Sequence, residues 1–396
     1  MENSTEPTTQ PAPIVAAELY RLKQPLKEPY HLAFGSFDAF DTFLVHLQTE
    51  DGRSAWGETT ACHGYVPETG DEIWDLLCTH TPLTTGSTPA EQIDRLLPLT
   101  INHPFAVTPL ITALESLDEP QGDVDKGRDT PAGNAGDLPT RERTGRLPTL
   151  PGNESIVPLV GILSGDSEKE LETSFWDRVK NGHDTVKLKV GFDLNGDIER
   201  AKLVQRLALE TPGVRIRIDA NQGYSLEEAR SFVRVLDPAC VELFEQPFGI
   251  GDWESQVALA SDSPVPLMLD ESILSSADIE RSAALKCAQY VKFKLMKAGG
   301  AGRLAEQIET ARRLGLKVVL GNGVGGEIAG YHEAVASLRA GLETAGEMNG
   351  LMKLQQTLLS EPITVKNGGI IVRSGFDLKP NVERLAAIAV NYNKYE

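Results

Sequence analysis

Short apolar runs recur through the second half of the chain, and stretches with helical periodicity separate them. Runs of this length are typical of buried strands. Eight candidate strands occupy residues 157–163, 185–190, 214–219, 240–245, 265–270, 290–295, 317–321 and 343–348. Strands that alternate with helices form parallel sheets through right-handed crossovers, so this pattern predicts an α/β fold built on a (β/α) barrel of seven or eight units.

The first part of the chain has a different pattern. Alternating apolar and polar residues between 14 and 47, above all FDTFLVHL at 40–47, predict antiparallel strands. The EDGR segment at 50–53 predicts a hairpin turn. Helical periodicity then follows at residues 69–78, 89–97 and 104–117. We therefore expect an α+β unit ahead of the barrel.

Composition marks the segments outside these two units. Residues 1–13 are polar and rich in proline, which predicts a disordered tail. Residues 119–149 are dense in glycine, proline and charge, which predicts a flexible insertion or linker. The expected division is an α+β domain at 14–118, a barrel domain at 150–370 and a C-terminal segment at 371–396.

The net charge of the chain disfavours some classes of binding partner. The 396 residues include 38 basic and 57 acidic side chains, for a net charge of −19, which disfavours binding to nucleic acid or an anionic membrane. No apolar run reaches the length of a membrane span, and the first residues lack a secretory pattern, so we expect a cytoplasmic protein. Cys62, Cys78, Cys240 and Cys287 lack zinc-ligand spacing and are expected to be reduced.

Three acidic residues end successive candidate strands. Asp219, Glu245 and Asp270 are separated by intervals that each fit one strand plus one helix. In a parallel barrel such strand ends meet at one rim, where three carboxylates would repel one another without a cation. A single acid at a strand end is usually a helix cap or turn residue, but three in succession predict a site for a hard divalent cation. Asn221 and Glu271 beside them are either supporting residues or helix caps.

Lysines bracket these acids. In TVKLKV at 185–190, Lys187 and Lys189 share one face of the strand, and in YVKFKL at 290–295 Lys292 and Lys294 do the same. Either pair alone is typical of a solvated strand face. At matching ends of two barrel strands that flank three acids, the pairs instead indicate chemistry, because the barrel interior is normally filled by apolar side chains.

Oxygen ligands and flanking amines suit removal of a proton from carbon. A divalent cation stabilises the negative charge that forms on a substrate carboxylate when its α-proton leaves, and carboxylate ligands favour Mg2+, with Mn2+ as a second choice. A lysine must be neutral to act as the base. We expect Lys187 and the cation to lower the pKa of Lys189, since like charge disfavours its protonated form.

Five segments together resemble the enolase superfamily, in particular its muconate-lactonizing subgroup. They are KLK at 187–189, DANQGYS at 219–225, FEQP at 244–247, LDES at 269–272 and KLMKAGG at 294–300. The resemblance implies a TIM-like barrel under an N-terminal capping domain, with the C-terminal segment packed back on that cap. It also implies that Asp219, Glu245 and Asp270 bind the metal, that Lys189 and Lys294 are the acid/base pair, and that the protein is a homo-oligomer.

The resemblance also suggests residues that contact a small carboxylate substrate. Two loops of the capping domain, at 30–40 and 59–68, would cover it, which makes His63 and Tyr65 candidates for binding. Lys187 would touch the substrate carboxylate. The last candidate strand ends in Glu347 and Asn349, where dipeptide epimerases of the family carry two aspartates.

Two opposed lysines favour a racemase or epimerase of an amino-acid derivative or dipeptide. Cycloisomerisation of the muconate type and syn dehydration of the o-succinylbenzoate synthase type would use the same groups and remain open. A barrel that only binds a carboxylate is a further alternative, although a pure binder has no need of two matched bases.

Overall fold

The computed structural model describes residues 12–32, 35–61, 68–118 and 154–396. The predicted substrate contacts His63 and Tyr65, the segment at 119–149 and most of the segment at 1–13 lie outside these ranges. Within them, no helix is long and apolar enough to cross a membrane.

An antiparallel sheet begins the fold. Its first three strands are β1 (Ile14–Leu32), β2 (Gly35–Thr49) and β3 (Ser54–Ala61). The predicted turn at 50–53 joins β2 to β3, and Thr49 N donates to the Arg53 carbonyl at 3.0 Å. Alternate residues of β2 supply the core between this sheet and the helices that follow, as the period of a half-buried strand requires.

Three helices cover this sheet where the periodicity predicts them. They are α1 (Gly70–His80), α2 (Pro89–Leu96) and α3 (Pro104–Asp118). Thr69 and Thr88 begin α1 and α2 with capping boxes, in which each threonine and the acid three residues later satisfy one another's backbone N–H groups. The predicted α+β character of the first unit is therefore confirmed.

The barrel follows β4 (Glu154–Pro158). Its parallel strands are β5 (Gly161–Ile162), β6 (Thr185–Lys189), β7 (Arg215–Asp219), β8 (Val241–Glu245), β9 (Leu267–Leu269), β10 (Tyr290–Phe293) and β11 (Lys317–Leu320). The helices between and after them are α4 (Glu168–Lys180), α5 (Leu194–Leu209), α6 (Leu226–Val233), α7 (Trp253–Asp262), α8 (Ser276–Leu285), α9 (Leu295–Ala298), α10 (Ala301–Arg313) and α11 (Glu327–Arg339). Neighbouring strands pair in sequence order, which confirms the predicted α/β barrel.

Two predicted strands differ from the structure. Residues 157–163 do not form one strand, because β4 pairs outside the barrel and only β5 pairs with β6. Residues 343–348 form no regular strand, since their Glu, Ala and Gly content has low β-propensity. Gly346 instead bridges Leu159, and Glu347 N donates to the Leu320 carbonyl at 3.0 Å. These single hydrogen bonds span the gap between β11 and β5.

The last part of the chain returns to earlier elements. It contains β12 (Val365–Lys366), β13 (Gly369–Arg373), α12 (Val382–Ile388) and β14 (Ala389–Tyr395). Strand β13 pairs with β12 and β4, and it crosses the predicted domain limit at residue 370. Strand β14 pairs with β1 and completes a four-stranded sheet in the order β14-β1-β2-β3.

Buried acids join the first unit to the barrel. Glu58 on β3 accepts hydrogen bonds from the backbone N–H groups of Gly326, Ile328 and Ala329 at 2.6, 2.8 and 3.0 Å, at the start of α11. A Cβ at Gly326 would collide with the Glu58 carboxylate, so glycine is needed for this approach. Glu115 on α3 accepts from the first N–H groups of α10 in the same way. These contacts fix the antiparallel sheet above the barrel rim.

Glu58→Ala is expected to lower the free energy of unfolding by about 3 kcal/mol, because buried N–H groups at the start of α11 lose their acceptor. Burial raises the pKa of Glu58 from 4.5 to about 7, against the hydrogen bonds from Ala329, Gly326 and Ile328. The folded protein therefore binds more protons than the unfolded chain between these pH values, and stability should fall as pH rises through that window. Urea unfolding at several pH values should show a steeper fall in stability across this window in the wild type than in Glu58→Gln, because Glu333 also has a pKa raised to about 7 and remains in the variant.

Candidate active site

Three acidic side chains stand at the carboxyl ends of neighbouring strands. Asp219 ends β7, Glu245 ends β8, and Asp270 directly follows β9. The register pairs Asp219 with Glu245. All three are buried, with exposed fractions of 1%, 0% and 2%. Buried carboxylates this near to one another need positive partners, and lysines of the flanking strands supply them.

Lys187 lies at the centre of this group. Its strand neighbours Val186 and Leu188 pack in the apolar core, so Lys187 points to the opposite face of β6. Its Nζ lies 2.7 Å from Asp219 Oδ2, 2.7 Å from Glu245 Oε2 and 2.8 Å from Glu347 Oε2. This single amine therefore contacts carboxylates from three segments of the barrel. Its predicted contact with a substrate carboxylate stays a prediction.

Lys292 on β10 has a position like that of Lys187. Its Nζ lies 3.1 Å from Glu245 Oε1 and 3.5 Å from Asp270 Oδ2, and it also contacts Glu347. Burial opposes its charge, but Glu245 and Glu347 raise the pKa of Lys292 well above the ordinary value. The sequence-based site did not include Lys292. Its alternation with Lys294 along β10 placed it on the same strand face, but no role in the site was assigned to it.

Lys189 ends β6 and contacts the first acid. Its Nζ lies 2.6 Å from Asp219 Oδ2 and donates to Asn221 Oδ1. Asn221 Nδ2 in turn donates to Glu271 Oε1 at 2.9 Å. The two residues proposed as supporting groups therefore form a chain of hydrogen bonds that ends at Lys189. This arrangement fixes the position of the amine.

The carboxylates around Lys189 act against the expected lowering of its pKa. Burial favours the neutral amine, but Asp219, Glu347 and Glu245 outweigh burial and raise the pKa of Lys189 above its ordinary value. The expectation that Lys187 and a bound cation lower the pKa of Lys189 stays a prediction, and these carboxylates oppose it. Positive charge added beside the carboxylates would offset their effect on the amine.

Lys294 approaches the acids from the other side. It follows β10 directly, is 1% exposed, and places Nζ 2.8 Å from Asp270 Oδ1. Lys297, one turn later, lies 3.2 Å from the same oxygen. In the sheet order, β6 and β10 bracket β7, β8 and β9. Lys189 and Lys294 therefore contact the first and the last of the three acids from opposite flanks.

Gln246 fixes the backbone around Asp270. Its side-chain Oε1 accepts from the N–H groups of Asp270 at 3.0 Å and Ser272 at 3.2 Å. Its Nε2 donates to the Phe248 carbonyl and to Ser272 Oγ, both at 2.8 Å. The buried amide thus ties the loop after β8 to the loop after β9. Sequence reasoning quoted Gln246 only as part of a motif and missed this role.

The segment that bridges β11 and β5 adds two predicted substrate contacts. Glu347 contacts both Lys187 and Lys292, and these two lysines hold its pKa well below the ordinary value even though burial opposes this. Asn349 is 5% exposed, and its Oδ1 has no hydrogen-bond partner within the described residues. Both side chains reach the site region, and their contact with a substrate stays a prediction.

The donor set suits a hard divalent cation. Asp219, Glu245 and Asp270 offer only carboxylate oxygens, and the buried Glu245 Oε2 has an ion pair with Lys187 Nζ at 2.7 Å as its contact among the described residues. Burial and the charge of Asp219 raise the pKa of Glu245 to about 8, against Lys187 and Lys292, so positive charge added beside Glu245 would favour its ionised form. Among residues 12–32, 35–61, 68–118 and 154–396, no three His, Cys, Asp or Glu side chains already surround one point as metal ligands do. Lysine amines lie between the carboxylates instead.

Carboxylates and amines at the carboxyl ends of barrel strands, below an N-terminal sheet, define a barrel enzyme with its site at the usual rim. Residues 171–376 match the sequence model of the family described as "Enolase C-terminal domain-like", and the chain belongs to this family. The resemblance inferred from the five motifs is thereby confirmed.

Relatives with established activities match most of the chain. An N-succinyl-L-Arg/Lys racemase from Bacillus cereus is 25% identical over 87% of this chain and 89% of its own length. Muconate cycloisomerase 1 from Acinetobacter baylyi is 25% identical over 88% of this chain and 91% of its own. The solved structure of a dipeptide epimerase from Cytophaga hutchinsonii, complexed with Mg and the dipeptide D-Ala-L-Val, has a TM-score of 0.80. It is 19% identical and covers 97% of this chain and 100% of its own, which supports the fold.

Proposed function

We propose that this chain abstracts the α-proton of a carboxylate substrate with the help of a divalent cation, and that it is a racemase or epimerase of an amino-acid derivative or dipeptide. The observation that carries the proposal is the position of the two lysines. Lys189 and Lys294 contact carboxylates at opposite ends of the acidic row, from strands that flank it on both sides. Two amines on opposite flanks suit removal of a proton from one face and its return on the other.

The acids would hold the cation. Asp219, Glu245 and Asp270 would be its ligands, and their oxygen-only chemistry favours Mg2+, with Mn2+ possible. The bound ion would stabilise negative charge on the substrate carboxylate. Lys187 and Lys292 hold Glu245 and Glu347 in place and keep the buried rim close to charge balance. Burial limits water around these groups and strengthens each electrostatic interaction.

The lysines would carry the protons. In one direction Lys189 takes the α-proton and Lys294 delivers a proton to the opposite face, and in the other direction the roles exchange. Asn221 positions Lys189 through its hydrogen bond. His63, Tyr65, Glu347 and Asn349 remain candidates for recognition of the rest of the substrate.

The relatives support this outcome and one alternative. The racemase from Bacillus cereus and the dipeptide epimerase from Cytophaga hutchinsonii favour transfer of an α-proton between two faces. The relative from Acinetobacter baylyi favours cycloisomerisation, which would need only one of the lysines as an acid or base. The opposed positions of Lys189 and Lys294 favour the first outcome.

Removal of divalent metal is expected to abolish uptake of solvent deuterium at the α-carbon, and addition of Mg2+ is expected to restore it. The measurement is proton NMR in D2O with N-succinyl amino acids and dipeptides, before and after treatment with a chelator. Chiral chromatography of the same samples reports racemisation.

Ultraviolet absorbance with cis,cis-muconate provides the comparison. If the protein turns over muconate and exchanges the α-proton of no amino-acid derivative, its function is cycloisomerisation and the proposal of a racemase or epimerase is wrong. Binding of Mg2+ by calorimetry without turnover of either class would indicate a carboxylate-binding barrel.

A further inference from the structure

A recess beside the site lies where β1 meets the barrel rim. Gly323, in the loop after β11, has no side chain, and its φ is not among the positive values that require glycine. A Cβ on Gly323 would lie 3.4 Å from Lys353 Nζ, 3.4 Å from Tyr30 Oη and 3.7 Å from Asn349 Oδ1. Polar groups from two segments, β1 and residues 349–353, thus converge on one point beside Gly323. We call the space bounded by Tyr30, Gly323, Asn349 and Lys353 the Gly323 recess.

Lys353 differs from the other lysines of the site. Lys187, Lys189, Lys292, Lys294 and Lys297 each contact a carboxylate. No carboxylate of the described residues forms a salt bridge with Lys353. Its Nζ donates to the Gly323 carbonyl and lies 4.1 Å from the centre of the Tyr30 ring. This cation is therefore held in place by a neutral acceptor and an aromatic face, and it keeps the capacity to pair with an anion.

The surroundings of Lys353 also disfavour the protonated form of its amine. Burial lowers the pKa of Lys353 to about 7, and the nearby Lys189, Lys187 and Lys292 act in the same direction, against Glu347. A negative group beside the amine would relieve both effects. The recess adjoins the row of acids and amines, because Asn349 N donates to the carbonyl of Glu347 at 2.7 Å and the Glu347 side chain contacts Lys187 and Lys292.

Asn349 is a second, independent observation. It is 5% exposed, and its Oδ1 atom, which faces the recess, has no hydrogen-bond partner within the described residues. Buried side-chain amide atoms are normally paired, because an unpaired one loses the hydrogen bonds that water would supply. A donor such as an amide N–H of a bound molecule would satisfy this atom.

Backbone hydrogen bonds and a buried cluster support the recess on the capping side. Leu26 of β1 bridges Leu354, and Gln355 N donates to the Pro25 carbonyl at 2.9 Å. Leu26, Phe40, Val324 and Leu354 form a small buried cluster against which Tyr30 packs. These contacts hold Tyr30 over Lys353 from a different domain of the fold. The recess is therefore built from both units.

We propose that the Gly323 recess binds the distal end of the substrate and that Lys353 recognises a second negatively charged group there. The proposal rests on the proposed function, because it names the class of substrate: a carboxylate whose α-substituent ends in another carboxylate. Asn349 would accept a hydrogen bond from the N–H of that substituent. Lys353 contacts no reacting atom and acts as a determinant of specificity.

The test compares two ligands that differ only in this charge. N-succinyl-L-amino acids carry a terminal carboxylate, and N-succinamoyl-L-amino acids carry a neutral amide of the same shape. Calorimetry with the Mg2+-loaded protein should show about tenfold to hundredfold tighter binding of the charged ligand, as expected for one charge-assisted hydrogen bond. Lys353→Met should remove this preference, and Lys353→Arg should keep most of it.

Lys27→Met is the matched control. Lys27 is exposed, and its Nζ donates to the carbonyl of Met352 at 2.8 Å. Met352 precedes Lys353 in the sequence, but Lys27 itself does not bound the recess. The control should retain the preference for the charged ligand. Gly323→Ala provides a second variant, since its methyl group would occupy the recess in ordinary contact distance, and should weaken binding of the charged ligand even if Lys353→Met folds poorly.

Equal affinity for the two ligands in the wild type, or an unchanged preference in Lys353→Met, would overturn the proposal. Deuterium uptake in the same samples tests the proposed function separately. Exchange without a charge preference would leave the proposed function standing and remove the role of Lys353. A charge preference that depends on Lys353, without deuterium exchange, would support the role of Lys353 and contradict the proposed function.

Discussion

Lys294→Met is expected to lower racemisation by about a thousandfold or more, because general acid–base catalysis by one positioned group contributes roughly 10²–10⁴. Methionine keeps most of the volume of this buried side chain and removes the amine that contacts Asp270. Exchange of the α-proton should persist for one enantiomer only, the one whose proton faces Lys189. The measurement is deuterium uptake by each enantiomer separately, with chiral chromatography to follow interconversion.

Lys189→Met should give the mirror result. Racemisation should fall by a similar factor, and exchange should persist only for the enantiomer that Lys294 deprotonates. Lys317→Met is the matched control, since Lys317 begins β11 at the opposite end of the barrel and packs against the Tyr290 ring. Loss of exchange for both enantiomers in either variant would contradict two independent bases and would favour a mechanism with one catalytic lysine.

Strand alternation made the inward lysines predictable from sequence. On β6 the period of two places Lys187 and Lys189 opposite the apolar side chains that pack in the core, and the structure confirms that face. The acids were equally accessible, because a polar residue that ends a buried strand can lie only at the rim. Local pattern and barrel topology together are enough for these positions.

The partners of each charge were not predictable in the same way. Glu347 contacts Lys187 and Lys292 from a segment that lacks regular strand structure, and its position depends on how the ring of strands closes. The pKa of Lys189 depends on such partners too, since the sequence does not give the number of carboxylates around one amine. Lys353 was missed because it lies in a 3₁₀ helix, Gly350–Lys353, after the last barrel segment, and its contacts with the Gly323 carbonyl and the Tyr30 ring join segments that are distant in the sequence.

The prediction of one strand at residues 157–163 was wrong because part of this segment pairs with a second sheet. Residues 157–163 have the apolar pattern of a single barrel strand, yet β4 pairs with β13 from far along the chain. Leu159 N donates to the Gly368 carbonyl, and Val160 N donates to the Gly346 carbonyl, so the chain changes partners between these residues. Hydrophobic pattern specifies a strand but not its partner when two sheets are available.

Glu245→Gln is expected to weaken binding of Mg2+ by at least about a hundredfold, because even loss of an outer partner of a metal ligand costs roughly 10–100-fold in affinity. Glu245 is fully buried in the middle of the acidic row, and glutamine keeps its shape while removing the charge. Exchange of the α-proton at limiting Mg2+ should fall with the affinity. Calorimetric titration with Mg2+ measures the first effect, and NMR in D2O measures the second.

Glu242→Gln separates this effect from general loss of a buried ion pair. Glu242 lies on the same strand, β8, and its Oε2 accepts from the buried Arg217 Nε at 2.8 Å, away from the acidic row. This variant should unfold at a lower temperature, since Arg217 loses its carboxylate, while its affinity for Mg2+ stays that of the wild type. Similar losses of Mg2+ affinity in the two variants would mean that Glu245 acts through the stability of the barrel. A loss confined to Glu245→Gln would instead support direct contact between the ion and the buried carboxylate at the end of β8, as proposed for the row of Asp219, Glu245 and Asp270.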